Sequence, residues 1–376
     1  MNTTGDQQLV KRINRSVLLR LLRAQPGLSR ARLSLQSGLT KSTVSALVRE
    51  LLDENWLCEA SAPIARDGIG RPSTPLHIHG GVRVLMGIEI GVQQMRLVCV
   101  SLTGKVLVSA QETLVGNQPE PVCAQAAAMA RRAWLTLTRD KLQLTGVGVC
   151  LPGAIEDASG LVQFAPNLGW RDVKFLDLLT EALVKAGLPD VGLHLHNDGD
   201  AAALGEYEFA DGASVDPLIF VSCDVGVGAG IVLNDRLFTG ARGMAGEIGH
   251  SIMQIDGKLC SCGRLGCAET FIGARALGSA EGVLRASRYL GVLIQNLDVM
   301  FNPRVVVVGG QSCSTHAGLL EGAARTVQAY ARSAGVAAPV VRGARYGLLA
   351  AAVGAAAVAL HRYLRPMYVQ TMPGKP

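Results

Sequence analysis

The residues best equipped for chemistry are three cysteines and a histidine. Cys260, Cys262 and Cys267 fall within eight residues, shortly after His250. Three thiolates and one imidazole make a closed tetrahedral donor set, which is the arrangement of structural zinc. No position is left for a reactive water, so the pattern speaks for a structural site and not a catalytic one. Buried thiols without a metal are the alternative, but three cysteines so close together rarely arise in a reduced core. The other six, Cys58, Cys99, Cys123, Cys150, Cys223 and Cys313, are scattered, mostly through apolar runs, and read as reduced core thiols. An odd total of nine with one tight cluster argues for a metal in a reducing compartment and against a disulfide framework. The expected role of the metal is to pin a glycine-rich loop with few apolar contacts of its own.

A second chemistry lies at the other end of the chain. Residues 1–80 hold 11 Lys and Arg against 6 Asp and Glu, so most of the formal net charge of +6 sits there. Such asymmetry favours a polyanionic partner. The elements needed to present that charge are legible. Val10, Ile13, Val17, Leu18, Leu21 and Leu22 recur at helical spacing, and Pro26-Gly27 ends that helix. Ser29 can cap a short helix over Arg30 to Ser37, which Gly38 closes. Thr40 can cap a third, with Val44, Leu47, Val48, Leu51 and Leu52 as its buried stripe. Trp56-Leu57-Cys58 and Leu76-His77-Ile78, around a turn-rich stretch, read as a two-stranded wing. Two short helices about a glycine followed by a wing is helix-turn-helix geometry. The outward face of the third helix then offers Lys41, Ser42, Thr43, Ser45 and Arg49 to base edges and phosphates. Arg71, between Gly70 and Pro72, sits on a turn suited to a narrow minor groove. A helical protein-interaction module is the rival reading; the basic excess and the wing favour DNA.

From Gly81 the pattern changes to α/β. Strand-like runs at Val84–Ile90, Arg96–Ser101 and Lys105–Ala110 precede an alanine-rich helix over Pro121 to Leu137 and a strand at Gly146–Cys150. A similar order recurs at Leu218–Cys223, Gly228–Leu233, a long helix near Ala280–Asn296 and the strand Val305–Val308. Two βββαβα-like halves predict a duplicated α/β fold with a cleft between its lobes. Strand order is not readable from periodicity. The longest nearly apolar stretch, Gly347 to Leu360, is 14 residues, short of the roughly 20 that span a bilayer. The N-terminal Met-Asn-Thr-Thr-Gly-Asp lacks the apolar core of a signal peptide. The expectation is a cytoplasmic protein with no membrane partner.

Taken together, several segments resemble the ROK family (repressors, open reading frames and kinases), specifically its repressor branch. They are Ala245-Gly246-Glu247-Ile248-Gly249-His250, then Cys260-x-Cys262-Gly-x-x-Gly-Cys267-x-Glu269, with Leu151-Pro152-Gly153, Ala165-Pro166-Asn167-Leu168-Gly169-Trp170, His196-Asn197-Asp198, Ala201 to Glu206, and Asn302-Pro303 leading to Val308-Gly309-Gly310. The N-terminal unit resembles the same branch down to Gly70-Arg71-Pro72. The resemblance implies a two-lobed actin/hexokinase-like domain behind the winged helix-turn-helix. It implies sugar contacts at Asn167, Asn197, Asp198, Glu247, His250 and Glu269, with His250 also on the zinc. Carboxylates and amides suit this role because sugar hydroxyls need paired acceptors and donors.

The expected division is a DNA-binding unit over 1–80, a first lobe over 81–200, a second lobe with the zinc over 201–345, and a C-terminal helix and tail over 346–376 returning to the first lobe. The expected function is a DNA-binding repressor of carbohydrate-metabolism genes, not an enzyme, acting on operator DNA as a homodimer or higher oligomer under control of a cleft-bound sugar. Members resembling this chain respond to xylose, glucose or N-acetylated hexosamines. The alternative is a ROK sugar kinase with an appended regulatory unit, because Asp198 stands where the family's kinases carry their general base. The phosphate side opposes that. Kinases carry Asp-x-Gly-Gly-Thr after the first strand, and here the run is Glu89-Ile90-Gly91-Val92-Gln93. Val92 puts a branched side chain where the backbone must approach phosphate, and Gln93 lacks the hydroxyl. The second glycine-rich run, Val225 to Gly230, remains compatible with phosphate binding.

Overall fold

A computed structural model describes residues 6–60, 74–210, 215–241 and 243–366. The chain begins with three helices, α1 (Gln7–Ala24), α2 (Arg30–Ser37) and α3 (Lys41–Asp53), then an antiparallel pair, β1 (Leu57–Glu59) and β2 (Leu76–Ile78). The caps follow the sequence signals. Ser29 Oγ accepts from the Arg32 N–H, Gly38 closes α2 at φ 73°, and Thr40 caps α3 through the Thr43 N–H. Val44, Leu47, Val48 and Leu51 are buried, whereas Leu52 is only partly so. The wing tip, including Arg71, lies outside the described residues.

The first lobe follows: β3 (Arg83–Ile90), β4 (Gln94–Ser101), β5 (Val106–Thr113), α4 (Pro119–Arg139) and β6 (Gln143–Leu151). A small meander, β7 (Ala154–Glu156), β8 (Leu161–Ala165) and β9 (Trp170–Val173), leads into α5 (Phe175–Lys185), β10 (Leu193–Asn197) and α6 (Asp198–Glu208). The second lobe has β11 (Leu218–Cys223), β12 (Val227–Leu233), β13 (Arg236–Leu237), α7 (Glu269–Ile272), α8 (Ala280–Phe301), β14 (Val305–Gly309), α9 (Gln311–Thr315), α10 (Ala317–Ala334), β15 (Val340–Gly343) and α11 (Ala350–Leu364).

The duplication is topological. The first large sheet runs β10-β6-β3-β4-β5 and the second β13-β12-β11-β14-β15. Counted from each lobe's first strand, both have the order 3-2-1-4-5. In each, strand 1 pairs antiparallel with strand 2 and parallel with strand 4. The strands at 84–90 and 96–101 stand as read. The third extends to Thr113 and the helix to Arg139. The meander, α5, β10, α10 and β15 were not foreseen.

Each sheet is covered on one face by its own helices: α4 and α5 on the first, α7, α8 and α10 on the second. The other faces are covered by an exchange. α11, at the end of the chain, packs on β3 and β6 of the first sheet, and α6 packs on β11 and β12 of the second. These two helices cross each other between the sheets. Gly205 faces Gly354 at the crossing, where a Cβ on Gly354 would sit 1.9 Å from the Ala201 carbonyl oxygen. Two alanine-rich helices can approach this closely only because the glycines lack side chains. The segment Gly347–Leu364 is long and apolar enough to cross a membrane by length and composition, but most of it is buried here. The DNA-binding unit is not a loosely tethered bead. Leu18, Leu22, Val44 and Trp56 share one apolar cluster with Val98 and Leu102 of the first lobe and Leu360 of α11. Trp56 stacks on Tyr363 at 4.1 Å between ring centroids.

Candidate metal centre, cleft and DNA-facing surface

The metal ligands come from a short 3-10 turn and the loop after it. Ile248–His250 forms the turn. Gly246, at φ 94°, lets the preceding chain press against β12: a Cβ there would lie 1.9 Å from the Ala229 oxygen. In the loop, Leu259 bridges to Leu265 and Ile252 to Cys267. The ligand atoms of His250, Cys260, Cys262 and Cys267 all lie within 4.8 Å of one another. The Cys262 and Cys267 sulfurs are 3.6 Å apart, and Cys260 Sγ is 3.7 Å from His250 Nδ1. Metal–sulfur bonds of ~2.3 Å in a tetrahedron require ligand separations of about 3.7 Å. The two printed separations match that geometry, and the whole donor set is close enough to close on a thiolate-binding metal. Ile255 and Leu259 in the loop are exposed, so apolar packing contributes little to its shape.

The cleft is built from loops of both sheets. Asn197 caps α6: its Oδ1 accepts from the Gly199 and Asp200 N–H groups, and its Nδ2 donates to the Gly153 oxygen at 3.1 Å. The cap thereby fixes Asp198 at the first helical position. Burial pushes the Asp198 carboxyl up to about 6, with the negative charges of Asp224 and Glu247 adding to the rise. Glu89, at the end of β3, is pushed up to about 7, chiefly by burial and despite Arg96 Nη1 at 2.9 Å from its Oε1. Asp200 is raised well above the usual carboxylate range by burial and by Asp198.

Glu247 is exposed, and its Oε2 is 3.9 Å from His250 Nε2, too long for a hydrogen bond. Glu269 opens α7, with Oε1 3.9 Å from Cys260 Sγ and 3.4 Å from Ser261 Oγ. Glu247 thus stands near both Asp198, whose carboxyl its charge helps to raise, and His250, while Glu269 lies beside the metal ligand Cys260. Asn167 stands apart from these. It is exposed on the β8–β9 turn, and no contact among the described residues joins it to the others.

Asp224, Asp200 and Arg96 were missed by sequence reasoning. Asp224 directly precedes the glycine-rich run 225–230, where it looked like an ordinary loop residue. Its carboxylate accepts from the Gln311 N–H at the start of α9 and from Ser222 Oγ at 2.9 Å. Beyond the effect of burial, Asp224 is near enough to Glu89 and Asp198 to raise both carboxyls, so the Glu89–Arg96 pair and Asp224 belong to the same charged neighbourhood as Asp198.

On the DNA-facing side, Lys41, Ser42, Ser45 and Arg49 of α3 are exposed and Thr43 is half-buried. Ser42 and Thr43 hydroxyls lie 2.9 and 2.8 Å from Thr40 Oγ1, so both are partly engaged in the cap. Lys41 and Arg49 form no ion pair among the described residues.

Comparison with known proteins agrees with both parts. Residues 12–57 match the model of a winged helix-turn-helix DNA-binding family, and residues 85–283 match that of the ROK family. The chain belongs to the ROK family, and it joins that family's domain to a winged helix-turn-helix. It is 28% identical over 348 residues to the xylose repressor of Caldicellulosiruptor bescii, covering 82% of this chain and 85% of that one. A crystal structure described as a ROK family transcriptional regulator, homologous to the Escherichia coli MLC protein, superposes with a TM-score of 0.76 at 23% identity. It covers 96% of this chain and 99% of its own. The ROK hexokinase of Thermus thermophilus superposes with a TM-score of 0.61 at 27% identity, covering 74% of this chain and 98% of its own. The architecture, a winged helix-turn-helix ahead of a ROK domain, is shared over nearly the whole chain with that regulator and over the ROK domain alone with the hexokinase.

Proposed function

We propose that this protein represses carbohydrate-metabolism genes by binding operator DNA through the winged unit, and that a sugar in the interlobe cleft controls that binding. The observation that carries the reading is the asymmetry of the cleft. Hydroxyl-binding groups are intact around Asp198 and Glu247, whereas Glu89, paired with Arg96, and Asp224 stand at the starts of the two glycine-bearing runs that a kinase would use for phosphate. In this reading Asp198, Glu247 and Glu269 accept from sugar hydroxyls. The free N–H of the Asn197 amide and Asn167 on the meander turn supply further contacts. Zinc, held by His250 Nδ1, Cys260, Cys262 and Cys267, fixes the imidazole so that Nε2 faces the same ligand as Glu247. α3 enters the major groove with Lys41, Ser42, Thr43, Ser45 and Arg49, and the wing, with Arg71, reaches the minor groove. Two half-sites call for a homodimer or higher oligomer, acting in the cytoplasm.

The intact Asp198 is the feature that favours a kinase. Its raised pKa suits a base, but a base without a place for phosphate has no reaction to serve. The test is a thermal-shift screen against xylose, glucose, N-acetylglucosamine and related sugars, followed by operator binding with and without each hit and a coupled assay for ATP consumption. The expected result is one sugar class that raises the melting temperature and changes DNA affinity with no ATP turnover. Phosphorylation of the sugar, or no change in DNA affinity with any sugar that binds, overturns the proposal.

A further inference from the structure

The first helix of the DNA-binding unit is fastened to the rest of the protein by two arginines, three residues apart on one helix face. Arg20 Nη1 lies 2.8 Å from Asp235 Oδ2, in the turn between β12 and β13. Arg23 makes the more telling contacts. Its Nη1 donates to the Leu102 carbonyl oxygen at 3.2 Å, in the turn after β4 of the first lobe. Its Nη2 lies 3.3 Å from Glu208 Oε2, at the last position of α6. Glu208 is almost fully buried and holds two further partners from α11, His361 Nδ1 and Arg365 Nη1, each at 2.6 Å from Oε1. One carboxylate therefore joins the ends of both crossing helices to the DNA-binding unit.

The other end of α6 is Asp198, in the cleft. An eleven-residue helix spans about 16 Å. Between its ends, α6 is locked against α11 at Gly205 and Gly354, where no side chain can yield. Close-packed helices transmit a shift as rigid bodies because the interior has no slack to absorb it. Arg23 is thus tied on one side to a first-lobe turn and on the other to a helix packed on the second lobe's sheet. A shift of α6 relative to the turn after β4 changes the separation of Leu102 O and Glu208, and one guanidinium cannot follow both.

We propose that Arg23 is the positioning residue that couples occupancy of the cleft to the orientation of the DNA-binding unit, through α6 and Glu208. The inference rests on the reading of the cleft as an effector site. A coupling of this kind is a difference in contacts between two states, and such couplings typically change affinity roughly 5- to 150-fold.

The test uses the full-length protein, a duplex enriched by the sugar-free protein from a random library, and xylose, glucose and N-acetylglucosamine as probes. The readout is the ratio of DNA dissociation constants with and without sugar, alongside sugar binding by calorimetry. Arg23→Gln leaves Glu208 paired with Arg365 and hydrogen-bonded to His361, so the fold is expected to persist. It should bind sugar within about threefold of wild type while the ratio falls toward 1. Arg23→Lys is the second variant. Its single ammonium cannot hold both Leu102 O and Glu208, and its ratio should fall between the two. Lys11→Gln, which removes a pair to Glu50 within the DNA-binding unit, should keep the wild-type ratio. A wild-type ratio of 1 with all three sugars overturns the effector reading and the coupling with it. A clear wild-type response that both Arg23 variants retain within twofold overturns the coupling alone.

Discussion

Replacing Asp198 with Asn should stabilise the sugar-free protein at neutral pH. The carboxyl is pushed from an ordinary value of 3.8 to about 6, with burial the largest cause and Asp224 the next. A raised carboxylate pKa means the native state holds its proton more tightly than the unfolded chain. Stability is therefore greatest below pH 3.8, falls as pH rises through the window from about 4 to 6, and stays reduced above it. At about 1.4 kcal/mol per tenfold change in acidity, the full penalty is about 3 kcal/mol. Water reaching the half-exposed side chain screens part of this, leaving about 1–3 kcal/mol. Asn keeps an oxygen for the Gly199 N–H, which Asp198 Oδ1 accepts at 2.9 Å, and removes the charge. For a chain of this size that corresponds to a rise of about 1–4 °C in melting temperature at pH 8. The gain should vanish by pH 4. The assay is thermal unfolding of wild type and Asp198→Asn from pH 4 to 8, read as the difference between them, so that protonation of the metal ligands cancels. A variant less stable than wild type at pH 8, or a difference that does not close on acidification, refutes the reasoning.

Three further outcomes are expected. Protein purified without added metal should contain about one zinc per chain; Cys262→Ser should lower both zinc content and melting temperature, and no change in either would remove the assignment. Lys41→Ala and Arg49→Ala should each weaken DNA binding and reduce the slope of log affinity against log salt by about 1, whereas unchanged slopes would place α3 away from phosphates. Gly354→Ala, whose Cβ would meet the Ala201 oxygen at 1.9 Å, should cost about 1–3 kcal/mol or more in stability by chemical denaturation; a silent change would mean the helix crossing is looser than drawn.

The parts of this protein that the sequence made legible are those whose determinants are local. The metal ligands lie within eighteen residues and carry distinctive donor chemistry. α2 and α3 announce themselves through Ser29, Gly38 and Thr40, and the buried stripe of α3 has clean helical spacing. Both lobes' first strands are β-branched runs whose burial on two faces leaves no alternation to confuse with helix. The meander at 154–173 was lost because its strands are three to five residues long and carry mixed polarity. Arg96 and Asp224 could not be assigned to the cleft because their roles depend on partners brought from other strands and loops.

α6 shows why the rest stayed hidden. Its sequence, Asp198 to Glu208, carries four acidic residues among small ones and has no apolar stripe. A pattern reader places such a segment on the surface, where charge is cheap. It is instead almost wholly buried, and its four acids meet four different environments. Asp198 faces the cleft. Burial, with the nearby charge of Asp198, raises the Asp200 carboxyl well above the usual carboxylate range. Glu206 accepts from the Arg345 N–H at 2.6 Å and pairs with Arg342 at 2.7 Å. Glu208 is held well below the usual carboxylate range by Arg365, His361 and Arg23, which outweigh its burial. Each partner lies far away in sequence, so the helix can be understood only after the chain has folded around it. A buried helix built of paired acids is a poor route to stability, since apolar side chains of the same size would do as well or better. Its acids are explained by position: they give one rigid element a charged end in the cleft and a charged end beneath the DNA-binding unit.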